Sequence, residues 1–526
     1  MRQESKKARL VQWARANPRA ALKSSLAVLL QGTLGAALGG VLLFGPLNLS
    51  GSAWPAAGAV AAGLAFGGVT LRQKILAILG PPETAQRWRR AVNGGSALLA
   101  ASLALITLVQ LYLAGLIPAP FLSRAAEFNR LWQALAIHYP YFEQKGIDWE
   151  AVRERYAPRI AAAAGDDQAY FALVREMLAE LNDAHTALVA PRPVERYLLG
   201  FAREIEGRAV VTWVRDDIAA PGLERGAVVL ARDGLPVEEY LETLAPWLRS
   251  GSTRRQQRQN AISTLLSAAA GESFTLEYLD PQDNRHEAVL TGAPPAAPAS
   301  GSAINESESD PGGPIITGKC LGSGIGLIEI PTFGAGKGAD LVAEFDAALD
   351  SLRGAPGLII DLRQNGGGST LISDQIAGRL LAEPFVYGKE YFTVPLPVRG
   401  WARTYHYRVK PRGETYTGPV ALLTDVFTMS TAENFVVALK DAGRAVLVGR
   451  PTAGSSGNPL YFSMRGGGAR FSTGDFRRND GTPLEGVGLH PHIPVELTRE
   501  GVIRGEDPDI TAAENYLLTR NGDTAR

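Results

Sequence analysis

Three long segments without a charged side chain lie near the start of this chain and constrain its fold more than any other feature. They are residues 24–45, 53–71 and 95–117. The first contains 22 residues. A helix of that length, rising about 1.5 Å per residue, crosses a hydrocarbon core of about 30 Å. The sequence therefore predicts a membrane anchor of three transmembrane helices in residues 1–120, with buried helices of a soluble protein as the alternative.

Basic residues are distributed unequally around these segments. Seven Lys or Arg residues precede the first segment and five lie between the second and the third, whereas the loop at residues 46–52 has none. Because basic loops stay on the cytoplasmic side, the N-terminus and the second loop are predicted to be cytoplasmic. We therefore expect a multi-pass protein of the cell (inner) membrane, in contact with the lipid bilayer, whose later residues face the periplasm or the exterior.

The charge balance and the single cysteine exclude several classes of function. Lys and Arg together number 53, as do Asp and Glu, so no overall positive charge favours binding to nucleic acid. Cys320 is the only cysteine, which excludes an intrachain disulfide and a cysteine-rich zinc site. His490 and His492 flank one proline without a nearby acid or cysteine, which is a weak pattern for a metal site. We predict no metal and no organic cofactor.

The spacing of apolar residues after the anchor changes along the chain and predicts different secondary structures in successive regions. Apolar residues recur at helical spacing up to about residue 181, with Asp148 and Asp166 as candidate N-caps. Short β-rich runs follow, and then strands that alternate with helices, which is typical of an α/β domain with a largely parallel, buried sheet. The predicted parts are a helical region at 121–200, a small β-rich domain at 201–292, a linker at 293–314, an α/β core at 315–500 and a C-terminal tail at 501–526.

Two candidate functional features follow apolar strands of the α/β core. The run GLIIDLRQNGGGST leads into three glycines at 366–368, and VALLTDVFTMSTAENF leads into Ser430. Binding sites of open α/β sheets lie at the carboxyl ends of strands, so both features can belong to one site. Consecutive glycines and a helix N-terminus can present N–H groups to an oxyanion. The alternatives for the glycines are a tight turn and a phosphate loop, although no Gly-Lys-Ser/Thr follows them.

Ser430 has two interpretations. It lies three residues before Glu433 at the start of an apolar run, the pattern of a capping box in which both side chains satisfy backbone N–H groups. A serine on a strand-to-helix turn can also serve as a nucleophile. Taken alone, the short pattern favours the cap.

Five motifs, in order along the chain, resemble the C-terminal processing and tricorn-core family of serine peptidases. They are LNDAHTAL, a PDZ-like stretch within 201–292, LIIDLRQNGGGS, STAENF followed by DAGRAVLVGRPTAG, and PLEGVGLHPHIPV. The resemblance covers roughly residues 124–497. It implies an α/β peptidase core of the crotonase/ClpP-like type, with a helical bundle and a small β-rich PDZ-like domain. Together the motifs favour Ser430 as a nucleophile.

The resemblance also implies how Ser430 would be activated. In the processing branch the base is a Lys located 25 residues after the serine, and Ser455 stands at that position here, so a Ser-Lys dyad is not expected. In the tricorn-like branch the base is a His that corresponds to His185, and a Glu that corresponds to Glu485 assists it. The serine that precedes the histidine in that branch is replaced by Ala184.

The expected protein is a membrane-anchored serine endopeptidase that hydrolyses peptide bonds of proteins outside the cytoplasm. The oxyanion donors are expected to come from Gly366, Gly367 and the Thr431 N–H group. A non-catalytic module that binds peptides or apolar ligands on the same scaffold is the alternative. The PDZ-like part is expected either to bind a peptide strand or to gate the site.

Overall fold

The computed structural model describes residues 122–163, 165–191, 196–294, 314–334, 340–393 and 402–524. The three predicted transmembrane helices and most of the predicted linker lie outside these ranges. Within them, no helix combines the length and the apolar character that crossing a membrane requires.

Three helices open the described chain. They are α1 (Arg124–His138), α2 (Trp149–Ala162) and α3 (Asp167–Ala179). Asp148 caps α2 and Asp166 caps α3, as predicted, because each carboxylate accepts backbone N–H bonds of the first helical turn.

A β-rich region follows the helices. Its elements are β1 (Ala187–Ala190), β2 (Arg196–Leu198), β3 (Gly200–Ile205), β4 (Arg208–Val214), β5 (Val228–Arg232), β6 (Leu235–Pro236), α4 (Val237–Thr243), α5 (Arg254–Ser263), β7 (Ser267–Ala269), β8 (Ser273–Leu279) and β9 (Arg285–Thr291). Strands β3, β4, β5, β8 and β9 form an antiparallel sheet in that order, with β6 paired to β5. This sheet and its helices enclose an apolar core of their own. The PDZ-like character of the region stays a prediction.

The α/β core contains the remaining elements. They are β10 (Thr317–Cys320), β11 (Gly326–Glu329), α6 (Leu341–Ser351), β12 (Leu358–Asp361), α7 (Thr370–Ala377), β13 (Phe385–Thr393), β14 (Ala402–Val409), β15 (Val420–Thr424), α8 (Thr431–Asp441), β16 (Ala445–Gly449), β17 (Leu460–Met464), β18 (Gly467–Phe471), β19 (Gly474–Arg478), β20 (Ile493–Pro494), α9 (Arg499–Arg504) and α10 (Pro508–Thr524). The central sheet has the order β10-β11-β12-β15-β16-β20, and only β10 pairs antiparallel. The predicted largely parallel sheet is therefore confirmed.

The order of the central strands brings the two candidate features together. β12 and β15 are adjacent and parallel, so the glycines after β12 and Ser430 after β15 lie at the same edge of the sheet. Both strands are apolar throughout or nearly so, because helices cover both faces of the sheet.

The C-terminal segment differs from the predicted tail. It forms α9 and α10, and Ala513 and Leu517 of α10 are fully buried against one face of the central sheet. Ile359 and Leu423 project to this face, whereas their strand neighbours project to the other. A sheet with two apolar faces needs two covering layers, and α10 provides part of the second one.

Leu517→Ala is expected to lower the free energy of unfolding of the full-length chain by about 2–5 kcal/mol, because it leaves a cavity in a packed core. The matched control is Leu518→Ala. Leu518 is 42% exposed, so its loss should cost at most about 0.5 kcal/mol. Urea unfolding of both variants checks this pair, and equal effects would show that α10 does not pack as described.

Candidate active site

Ser430 occupies a strained turn between β15 and α8. Its backbone angles are φ 60° and ψ −126°, a region that costs a residue with a side chain about 1–3 kcal/mol. The Ser430 N–H donates to Ser455 O at 3.0 Å and to Glu433 Oε2 at 3.2 Å. The tertiary contacts of this turn hold the serine in a conformation that the local sequence alone would not favour.

Glu433 accepts the Ser430 N–H, as the capping box predicts, and also binds the loop at residues 452–455. Its buried carboxylate accepts the N–H groups of Ser430, Gly454 and Ser455 and the hydroxyl of Thr452. Burial raises its pKa to about 7, and these hydrogen bonds act in the opposite direction. The capping interpretation and the nucleophile interpretation of Ser430 are therefore compatible, since the cap carboxylate fixes the turn that presents the hydroxyl.

His185 and Ser430 come together, as predicted. The Nε2 atom of His185 lies 3.0 Å from Ser430 Oγ, although the two residues are 245 positions apart. His185 is only 5% exposed, and burial lowers its pKa to about 4. The imidazole is therefore neutral at neutral pH.

The other nitrogen of the His185 ring contacts Ser455, a residue for which the sequence predicted no role. His185 Nδ1 lies 3.0 Å from the hydroxyl of Ser455. The sequence showed Ser455 only as a serine at a position where the processing branch has lysine. Because a neutral imidazole has one donor and one acceptor nitrogen, the two serines can hold the ring in a defined tautomer.

Glu485 is buried near His185 but does not orient it directly. Its Oε2 accepts the N–H of Ser456 at 2.9 Å, and its Oε1 lies 2.7 Å from the ammonium of Lys145. The Ser455 hydroxyl contacts the Nδ1 side of the ring, and the Glu485 carboxylate pairs with Lys145. The role of Glu485 in assisting His185 therefore stays a prediction. Burial raises the pKa of Glu485 to about 8, and the Lys145 charge opposes this shift.

Lys145 connects the histidine segment with the glutamate. Its ammonium also donates to Leu181 O at 3.2 Å and to Asn182 O at 2.6 Å. All three donors of the ammonium are thus used. The residue lies in the loop between α1 and α2, where no motif or periodicity indicated a function.

The two predicted oxyanion donors of the glycine loop differ in whether their backbone is already engaged. The N–H of Gly367 donates to Asn365 Oδ1 at 2.8 Å, so this predicted donor is already engaged. A Cβ atom at Gly367 would lie 2.8 Å from Ser430 Cβ, and its φ is +93°. The loop can approach Ser430 this closely only because residue 367 is a glycine. Gly366 faces open space.

Thr431 is the third predicted donor and the first residue of α8. A backbone N–H at this position has no acceptor within its own helix. The Thr431 hydroxyl donates to Gly368 O at 2.8 Å, which ties the helix to the glycine loop.

His492 has a hydrogen-bonding role in the central sheet. Its Nδ1 accepts the N–H of Leu447 at 2.9 Å, so this nitrogen is already engaged with the backbone.

Two family models match this chain. Peptidase family S41 matches residues 324–495, and the tricorn protease C1 domain matches residues 120–179. The chain contains a peptidase family S41 domain. Ser430 lies in this S41 domain, whereas His185 follows the C1 match by a few residues. The matches support a serine-type peptidase.

Two curated relatives align with parts of this chain. A tricorn protease homolog of Streptomyces coelicolor is 26% identical over 345 residues, 59% of this chain and 24% of that protein. A Chlamydia pneumoniae protein is 32% identical over 147 residues, 27% of this chain and 23% of that protein. The chain thus spans about a quarter of the length of these curated relatives.

Two solved structures share the fold of the S41 domain and its surroundings. Mature CPAF aligns with a TM-score of 0.59 and 18% identity, covering 76% of this chain and 96% of that chain. Mature CPAF in complex with lactacystin aligns with a TM-score of 0.57 and 18% identity, covering 77% and 98%. At this identity the likeness shows the fold.

Lys145→Met is expected to lower the free energy of unfolding of the full-length chain by about 1–3 kcal/mol, because Glu485 loses a buried, charge-assisted hydrogen bond and, with its raised pKa, takes up a proton in place of its cation. Glu485→Gln in the same chain should relieve part of this cost, so the double variant is expected to lose less stability than the sum of the single variants. A double-mutant cycle by urea unfolding measures the difference. Simple additivity would mean that the two side chains do not interact.

Proposed function

We propose that this protein is a serine endopeptidase in which Ser430 is the nucleophile and His185 is the general base. The observation that carries the proposal is the 3.0 Å contact between a buried, neutral imidazole and the Ser430 hydroxyl. The proposal is supported by the position of Ser430 within residues 324–495, which match peptidase family S41. The substrate is proposed to be a protein or peptide.

The proposed reaction follows from this pair. As Ser430 Oγ forms a bond to the carbonyl carbon of the scissile peptide, its proton passes to His185 Nε2, and the carbonyl electrons form an oxyanion. When the oxyanion collapses, the C–N bond breaks and the amine takes the proton from His185. Water then repeats both steps on the acyl-enzyme, which releases the acid and restores Ser430.

Ser455 is proposed to keep the imidazole ready for this task. For Nε2 to accept a proton, the single ring proton must lie on Nδ1. The Ser455 hydroxyl, 3.0 Å from Nδ1, is placed to accept that N–H bond. Ser455 would thereby supply the orienting contact that Ala184 cannot supply. Glu485 is proposed to act one step further away, by holding the Ser456 N–H.

The oxyanion is proposed to be bound at the N-terminus of α8. The Thr431 N–H is the best placed predicted donor, since Gly367 N–H is engaged with Asn365. Gly366, in the open part of the loop, is the proposed second donor. Loss of one such donor typically reduces the rate by about 10²- to 10³-fold.

The membrane anchor in residues 1–120 is also part of the proposal. It would hold the peptidase at the periplasmic or outer face of the inner membrane, as the distribution of basic residues suggests. Resistance of the protein to extraction from cell membranes at alkaline pH tests the anchor.

The β-rich insert is proposed to be PDZ-like and to bind or gate substrate.

Ser430→Ala and His185→Ala are each expected to reduce digestion of labelled, unfolded casein by about 10⁴-fold or more, because members of a catalytic unit are not replaceable. Both variants should also lose reaction with a fluorophosphonate probe. Digestion by the purified full-length chain, together with mass spectrometry of the adduct, measures these effects. Peptide binding without an adduct would instead favour the non-catalytic module.

Ser455→Ala is expected to lose about 10²-fold in rate, since a misplaced base costs about that much. Ser456→Ala is its matched control, because only the backbone N–H of Ser456 holds Glu485, and it should retain a near-wild-type rate. Equal rates for the two variants would remove Ser455 from the mechanism.

The acid limb of kcat/KM is expected near pH 4, where His185 becomes protonated, instead of near its unperturbed pKa of about 6.5. The sign of the stability effect follows from the same lowered pKa. The buried neutral histidine contributes stability above its unfolded pKa, and this contribution is lost as the pH falls through about 4. Initial rates and circular dichroism at each pH separate the two effects. A limb near 6.5 in folded protein would contradict this role of burial.

A further inference from the structure

A short antiparallel sheet carries a row of side chains away from the catalytic histidine. β1 begins two residues after His185, β1 pairs with β18, and β18 pairs with β17. In this register Ala187 lies opposite Arg470, and Arg470 lies opposite Tyr461. Directly opposite residues project from the same face of a sheet. The three side chains therefore form one row across the three strands.

This row lies on the solvent side of the sheet. The opposite face carries Leu188, Phe462, Ala469 and Phe471, which are buried in the apolar core formed with α1, α2 and α3. Arg470 is exposed and Tyr461 is 42% exposed. A ligand can therefore contact the row from solvent without any rearrangement of the core.

The guanidinium of Arg470 forms no salt bridge in the described residues; burial lowers its pKa, and the charge of Asp183 acts in the opposite direction from a longer distance. Its Nη2 donates to Ala184 O at a long 3.4 Å, and Ala184 precedes the catalytic histidine. In the described parts of the chain no carboxylate lies within 4.0 Å of it, whereas Arg477 and Arg478 on β19 both have such a partner. The Arg470 charge is also one of the causes that keep the pKa of His185 low. It therefore lies within electrostatic reach of the base.

We propose that Arg470 forms a carboxylate-binding subsite beside the catalytic pair. The ligand is a carboxylate of the substrate, supplied either by an Asp or Glu side chain near the scissile bond or by a free C-terminus. A planar guanidinium binds a carboxylate with two parallel, charge-assisted hydrogen bonds, which a neutral amide cannot match. The assignment rests on the proposed peptidase function and names the substrate class for it.

The cleavage arm of the test uses full-length protein and sets of peptides that differ in one group. One set exchanges Glu for Gln at each position near the cleaved bond, and the other exchanges a free C-terminus for an amide. Wild type should prefer one acidic peptide by about 10- to 100-fold in kcat/KM. The set in which this preference appears identifies the source of the carboxylate. Arg470→Gln should abolish the preference, measured as the ratio of kcat/KM for the two peptides of a pair within the same variant, and Arg470→Lys should restore part of it.

Arg465→Gln is the matched control. Arg465 is an exposed arginine in the turn between β17 and β18, at the end of the hairpin beyond the row. It should retain the full acidic preference. An acidic preference that is the same in wild type and Arg470→Gln, or its equal loss in Arg465→Gln, would overturn the assignment.

A binding arm separates this inference from the proposed function. Fluorescence anisotropy with the Ser430→Ala chain compares the acidic peptide with its amide, with Arg470 intact or replaced by Gln. Selective binding that depends on Arg470, without cleavage by wild type, would overturn the peptidase function and support the subsite. Cleavage and binding that do not depend on Arg470 would overturn the subsite and support the peptidase function.

Discussion

The contact between the His185 imidazole and the Ser430 hydroxyl depends on how two separate parts of the chain pack. The histidine follows the three N-terminal helices, and the serine belongs to the S41 domain 245 residues later. Phe462 and Phe471, from β17 and β18, are buried in the core of the helical part. This shared apolar core joins the parts and therefore sets the distance between the imidazole and the hydroxyl. Hydrophobic burial is not directional, so polar contacts must supply the remaining precision.

Two buried carboxylates supply much of that precision. Glu433 binds backbone N–H groups on both sides of the site, at Ser430 and at Ser455. Glu485 binds the next N–H along, at Ser456, and is itself held by Lys145. A buried carboxylate that accepts several backbone N–H bonds fixes loop geometry over short distances. Both acids thus position the loops around His185 and Ser430, and the Ser455 hydroxyl provides a direct contact to the imidazole ring.

A similar use of charge joins the end of the chain to the sheet. Arg363, directly after β12, binds Asp361 and also Asp507 and Asp509 at the start of α10. Asp361 is close to Arg363 in the sequence, whereas the other two partners lie more than 140 residues further along the chain. Together with the buried apolar residues of α10, these ion pairs explain why the last helix is an integral layer of the core. The glycine loop begins a few residues after Arg363, so these ion pairs link the C-terminal helix to the strand end that carries the loop.

The sequence by itself determined the features that repeat at short range. Apolar strands alternating with helices predicted the parallel sheet, Asp148 and Asp166 marked helix starts, and ordered motifs identified Ser430 and His185. Tertiary structure decided the partners of the buried polar groups. Glu485 pairs with Lys145, the Gly367 N–H donates to Asn365, and the Ser455 hydroxyl contacts the imidazole. The C-terminal segment forms a helix that packs on the central sheet. Local patterns arise from neighbours a few residues apart, whereas a buried polar atom takes whichever partner the packed fold places within about 3 Å.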